Sequence, residues 1–251
     1  MDIRFDDKIV VVTGAAGGFG SATARTFAEA GAHVVVSDIN LDGAQAVADT
    51  LPSAEAARLD VTSPESIQEF FDVLAERHGG LDVLVNNAGG PTPKADLEDT
   101  SLEHIDWLIH LNYRSAVLAS RAALPLLRGR EGASIVNVGS ISGRRPRTGG
   151  TVYNSAKAAV EAFTRALAAE VAPQVRVNAV SPAIAETGFV KSIYGTADLA
   201  PQDRERLVAG IPMARTTQTS DVANAIAYLA SEPANFLTGV CLEVDGGRSI
   251  S

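Results

Sequence analysis

Tyr153-Asn154-Ser155-Ala156-Lys157 sets a phenol and an ammonium four residues apart, on one face if the segment is helical. A tyrosine with an ordinary pKa of about 10 is a poor base at neutral pH. A lysine charge beside it lowers that value, and a nicotinamide cation would lower it further. The pair can therefore relay a proton in alcohol–carbonyl chemistry. By spacing alone, Tyr-x-x-x-Lys is equally an ordinary exposed pair. Ser140, thirteen residues before Tyr153, supplies a hydroxyl at the end of a buried apolar run. In an α/β protein that is the sheet edge where ligands bind.

A second site for chemistry opens the chain. "DKIVVVTGAAGGFG" (7–20) runs from an apolar strand into a glycine turn and then a helix. Gly14 permits the tight turn, Gly18 lets backbone approach a pyrophosphate, and Gly20 permits close helix–strand contact, with Gly17 and Phe19 in the same turn. The helix start offers free N–H groups and partial positive charge to phosphates. Asp38 ends the next strand, eighteen residues past Gly20, where a carboxylate can accept both ribose hydroxyls of an adenosine. Neither Ser37 nor Ile39 is basic, so nothing adjacent would hold a 2′-phosphate. NAD(H) is the expected cofactor.

The elements that must position these groups alternate along the whole chain. Runs 8–13, 33–37, 55–60, 81–86, 134–140, 175–181 and 240–245 read as strands, mostly β-branched and continuous. Such strands are buried on both faces, as in parallel sheets. Helical stretches fall at 19–30, 41–51, 64–78, 101–128, 152–172 and 219–231, and Ser63 before Pro64 is a good N-cap. The order predicts an α/β doubly wound parallel sheet of the Rossmann type, about seven strands with helices on both faces. One domain over 1–251 is expected, with 183–215 as a substrate-binding lobe or lid.

Composition narrows the partners. The 251 residues carry a formal net charge of −9, which argues against nucleic-acid or anionic-membrane binding. No apolar run approaches the roughly 18 residues of a membrane span, and the start shows no secretory pattern. The single cysteine, Cys241, excludes an internal disulfide and is expected to be a small buried apolar residue. The cytoplasm is the expected compartment. His33, His78, His104 and His110 lack metal-ligand spacing and read as packing or surface residues, so no catalytic metal is expected.

These segments together resemble the single-domain branch of the short-chain dehydrogenase/reductase family. "TGAAGGFG" (13–20) is similar to its cofactor fingerprint, "NNAG" (86–89) to its strand-four signature, and "YNSAK" (153–157) to its active-site motif. Ser140 stands at the family's distance, and "LTGVCLEVDGG" (237–247) resembles its C-terminal strand. The resemblance implies that Ser140 holds the substrate oxygen and Tyr153 exchanges its proton. Lys157 would lower the tyrosine pKa and bind nicotinamide ribose, and Asn112 would anchor a water leading from Lys157. It places Asp60 and Val61 beside adenine, and Asn87, Ala88 and Gly89 beside the adenosine ribose, although Asn87 alone could equally be structural. It also implies a homotetramer built through the two long helices and the last strand.

The family's Pro-Gly after strand six is Pro182-Ala183 here, with Thr187 five residues beyond the proline. The carboxamide would meet Ile184 if the loop is one residue short and Ala185 if it is not. A positive φ at Ala183 would be strained. Arg144, Arg145 and Arg147 lie between Ser140 and Tyr153, where an anionic substrate or a carrier phosphate could meet them; a solvated loop or subunit contact is the plainer reading. Phe189, Val190, Ile193, Tyr194 and Met213 read as lid packing or pocket wall. The expected activity is hydride transfer between NAD(H) and a secondary alcohol or ketone. The rivals are a 3-oxoacyl-thioester reductase using NADPH and a non-catalytic dinucleotide-binding protein.

Overall fold

Val10, Val11 and Val12 are all fully buried, yet successive strand residues face opposite ways. The sheet therefore needs a core on each side. In the computed structural model, which describes residues 3–91, 94–185 and 208–251 with positions 202 and 205, it has both. Val10, Val12, Val34, Val36, Val136 and Val180 enter one cluster with Ala24, Phe27 and Ile226. Val11, Val35, Leu84, Ile135 and Val177 enter the other with Phe71, Leu74, Ala123 and Leu167.

The strands are β1 (Ile9–Thr13), β2 (His33–Asp38), β3 (Ala54–Arg58), β4 (Val83–Asn86), β5 (Ser134–Val138), β6 (Arg176–Pro182) and β7 (Cys241–Val244). They form one sheet ordered β3-β2-β1-β4-β5-β6-β7, every pair parallel, with Val11 facing Val35 and Leu84 in register. The reversal of strand order between β1 and β4 opens a crevice at the carboxyl edge, the position where this architecture holds ligands.

The helices with described bounds are α1 (Gly18–Glu29), α2 (Leu41–Ala48), α3 (Pro64–His78), α4 (Leu102–Ile109), α5 (Ser115–Leu127), α6 (Thr151–Val171) and α7 (Thr219–Ala230). Local chemistry sets several ends. The Ser63 hydroxyl accepts from the Ser66 amide at 3.1 Å at the start of α3, and Asn40 accepts from Gly43 at 3.1 Å at the start of α2. At the far end of α7, the buried Arg176 guanidinium donates to the carbonyls of Leu229 (2.7 Å), Ala230 (2.9 Å) and Ser231 (3.2 Å). It thereby satisfies acceptors the helix cannot pair itself.

Three expectations need correction. The helix expected over 101–128 contains a π-helical turn, His110–Arg114, between α4 and α5. Ser140 lies beyond β5, which stops at Val138, and instead starts a 3-10 turn over Ile141–Gly143. The outer strands β3 and β7 are only partly covered, because each is paired on one side alone. No helix among the described residues is long and apolar enough to cross a membrane. Most of 183–215, including Thr187, Phe189, Val190, Ile193 and Tyr194, lies outside the described residues.

Candidate active site

The glycine turn sits where β1 ends. Gly14 has φ +64°, and a Cβ there would come within 2.8 Å of the Ala88 Cα. Only glycine fits both demands. Residue 20 must also lack a side chain, since a Cβ would lie 2.6 Å from the Asn87 Nδ2. Gly17 precedes α1 with no side chain capping the first amides, and nothing lies within 4 Å of the space a Cβ would occupy. That open, uncapped helix start is what a pyrophosphate needs. The residues present therefore fit a dinucleotide.

Two neighbouring turns are clipped together beside it. The Thr13 hydroxyl oxygen accepts from the amides of Asn87 (3.1 Å) and Ala88 (3.0 Å). The Asn87 side chain donates to the carbonyls of Thr13 (2.8 Å) and Gly14 (2.9 Å). The Asn87 side chain thereby ties the two turns together. Asp38 is seated on the same turn: one oxygen accepts from the Ala16 amide at 3.0 Å and the other from Asn40 at 2.9 Å. Ile39 beside it is exposed, Val61 is buried, and Asp60 accepts from the Thr62 hydroxyl at 2.6 Å and amide at 2.9 Å. The Thr62 bonds hold the Asp60 carboxyl below its usual range against a smaller opposing effect of burial.

The second cluster is built by α6, β5 and the π-helical turn. Lys157, one helical turn after Tyr153, is buried and donates from Nζ to the Val138 carbonyl at 2.9 Å. Its Nζ lies 5.9 Å from the Tyr153 ring centre. The Tyr153 hydroxyl is hydrogen-bonded to the Ser140 side chain, and Ser140 Oγ in turn accepts from the Ser142 amide at 3.1 Å. Asn112 is turned inward by the π-helical turn, a distortion common at functional sites. Its Oδ1 accepts from the Gly90 amide at 3.1 Å and its Nδ2 donates to the Leu108 carbonyl at 3.2 Å. Gly89 separates Asn112 from Lys157, for a Cβ there would lie 3.0 Å from Asn112 Oδ1 and 3.3 Å from Lys157 Nζ.

Burial dominates the titration of this cluster. It pushes the Tyr153 phenol up to about 12, outweighing the Ser140 hydrogen bond and the Arg147 charge that pull the other way. It pushes the Lys157 ammonium down to about 8. Among the protein's own groups, desolvation thus outweighs the pull of neighbouring charge on the phenol, and Arg147 adds a second cation beside Lys157.

A family model described as enoyl-(acyl carrier protein) reductase matches residues 14–249. The 4-formylbenzenesulfonate dehydrogenase TsaC1/TsaC2 of Comamonas testosteroni is 40% identical, across 99% of this chain and all of that protein. The chain belongs to the short-chain dehydrogenase/reductase family. It is also 39% identical to the cis-4-hydroxycyclohexanecarboxylate dehydrogenase of Sinomonas cyclohexanicum, with 98% of each covered. Among solved structures it resembles a 3-ketoacyl-(acyl-carrier-protein) reductase from Brucella melitensis complexed with NADH. That match has a TM-score of 0.90 and 34% identity, over 97% of this chain and 99% of that one. The protein is an oxidoreductase of this family, whose members bind a nicotinamide dinucleotide.

Elsewhere this short-chain dehydrogenase/reductase departs from the sequence reading. Among the described residues other than glycine, only Asp7 and Ala214 have positive φ, so Ala183 is unstrained. After Pro182, Ala183, Ile184 and Ala185 are all buried; the Ile184 carbonyl accepts from Thr217 at 3.1 Å, and Ala185 bridges the same residue. Arg144 is bound to Glu161 (2.8 Å) and Glu243 (2.9 Å), while Arg145 donates to the Arg248 carbonyl. Cys241 is only half-buried, and Arg165 donates to its sulfur at 3.5 Å. Thr13 and the buried Glu161 were missed: a threonine ending a strand and a glutamate within a helix carry no local signal. Glu161 also accepts from Ser181 at 2.9 Å.

Proposed function

We propose that the protein is an NAD(H)-dependent dehydrogenase that interconverts a secondary alcohol and its ketone. The observation that carries this reading is the linked set Ser140–Tyr153–Lys157 beside an uncapped helix start and Asp38. Gly14, Gly17, Gly18, Phe19 and Gly20 would hold the pyrophosphate. Asp38 and Ile39 would face the adenosine ribose, and Asp60 and Val61 the adenine. Asn87, Ala88 and Gly89 would border the ribose, and Pro182, Ala183 and Ala185 would border the nicotinamide. When bound, that cofactor supplies the two-electron acceptor or donor.

In alcohol oxidation, Ser140 would orient the substrate hydroxyl and Tyr153 would take its proton at the phenolic oxygen. Lys157 would hold the nicotinamide ribose and, with Asn112, pass the proton toward solvent. Reduction runs the same proton path backwards. Tyr153→Phe is expected to cut turnover at least about 100-fold while NADH binding, followed by fluorescence, stays intact. A variant that keeps most activity refutes the role.

The substrate is proposed to carry an anionic group. Arg144 and Arg145 are engaged, but Arg147 has no carboxylate partner among the described residues, and its charge reaches Tyr153. The Arg147 carbonyl is pinned by Asn154 at 2.8 Å, and the Lys94 stem lies against Gly149 of the same loop. The two similar dehydrogenases are named for a ring sulfonate and a ring carboxylate. Arg147→Gln should raise KM for a hydroxycyclohexanecarboxylate about fivefold, the effect of one exposed charge, and leave the KM for cyclohexanol unchanged, any effect through the Tyr153 phenol falling on kcat for both alcohols. An equal rise in KM for both alcohols would reject the anion reading. The similar ketoacyl reductase keeps a 3-oxoacyl-thioester reaction in view. Comparing initial rates with NADH and NADPH on an acetoacetyl thioester separates it.

A further inference from the structure

Three chelating side chains meet at the amino-terminal edge of the sheet, away from Tyr153. His33 opens β2, Glu55 is the second residue of β3, and His78 closes α3. One ligand atom from each lies within 4.8 Å of the others. Linear spacing hides the group, because its members come from three separate elements. The two imidazole rings are 5.3 Å apart, and His78 Nε2 is 2.8 Å from Glu55 Oε1.

The hydrogen bonding around His33 is lopsided. Its Nδ1 is 3.0 Å from the Ser53 hydroxyl, while its Nε2 is buried with no hydrogen-bond partner. With Nδ1 protonated toward Ser53, Nε2 presents an unused lone pair. An orphaned buried acceptor of this kind calls for a partner. A second-sphere oxygen fixing the tautomer of a ligating histidine is a regular feature of metal sites. Arg77 contacts the other Glu55 oxygen at 3.3 Å and is largely exposed, so Oε1 remains available to an ion.

We propose that His33, Glu55 and His78 bind a divalent transition-metal ion, with zinc(II) the best match. Two imidazoles and one carboxylate, with water in the fourth position, are a donor set for borderline ions and not for magnesium or calcium. On binding, His33 Nε2 gives its lone pair, and the ring proton of neutral His78 moves from Nε2 to Nδ1 through solvent, which frees the Nε2 lone pair. Glu55 Oε1 then exchanges its imidazole contact for the ion, and no oxidation state changes. The ion joins β2, β3 and α3 far from the dehydrogenase centre, so its role is structural.

The test uses the full-length chain without an affinity tag, stripped with chelator and titrated with zinc chloride by calorimetry. One ion per chain is expected, with a rise in Tm, since binding favours the folded state. His33→Gln and His78→Gln should each weaken binding by at least about 100-fold, and Ser53→Ala by about tenfold. His104→Gln should leave it unchanged. Circular dichroism establishes that each variant is folded, and Glu55→Gln, partly exposed, gives the same readout should His33→Gln fold poorly. Failure of the wild type to bind zinc saturably, or undiminished binding by His78→Gln, would overturn the proposal.

Discussion

Lys157 is an ammonium in a place where ammonium is disfavoured. Its folded pKa of about 8 lies below the ordinary 10.5. Between those values the unfolded chain holds a proton that the folded chain has lost, so stability rises with pH across that window. Below about 8 the full penalty of the buried charge is present. Lys157→Met is therefore expected to be inactive yet roughly 1–2 kcal/mol more stable at neutral pH by urea denaturation. The raised Tyr153 value has the opposite sign: above 10 the folded chain retains a proton that the unfolded one releases, and stability falls toward 12. At neutral pH the phenol is a proton donor, the form ketone reduction requires. The kcat/KM for reduction should fall as pH climbs through about 8, where Lys157 loses its charge, and Lys157→Arg should move that limb to higher pH. At this scale the sequence displayed the reacting groups, since Tyr153, Lys157, Ser140 and Asp38 announce themselves by type and spacing. It hid their environment: the burial of the phenol and the charge that Arg147 adds beside it depend on where a loop runs, and loop paths are not periodic.

Elements were legible wherever burial repeats. All seven strands were anticipated, because two cores require two interleaved sets of apolar residues. The π-helical turn was not, since one extra residue in a helical turn leaves no mark on composition. Nor was the tie between β6 and α7. Arg176 opens a strand, and both its sequence neighbours are valines, yet its guanidinium serves the last carbonyls of a helix more than fifty residues later. Burial holds its pKa below the usual arginine value. Arg176→Met would leave those carbonyls unpaired and should cost about 3 kcal/mol in chemical denaturation. A loss under 1 kcal/mol would mean that water replaces the guanidinium cheaply.

For the molecule as a whole, one large question concerns what covers the β7 edge and the exposed Leu102, Trp107 and Phe236. An uncovered edge strand invites pairing with another chain. The homotetramer proposed from family resemblance predicts a light-scattering mass about four times that of the 26.1 kDa chain. A monomeric mass would reject it. Parallel strands also give the sheet a direction. The dinucleotide turn, Ser140 and the tyrosine helix all gather at the carboxyl rim, while the return turn between α5 and β5, at 128–133, lies at the opposite rim with Gly129, Glu131 and Gly132 exposed. A fluorescent tag or foreign peptide spliced in after Gly129 should be carried without loss of turnover. The same graft between Ser140 and Gly150 should silence the enzyme.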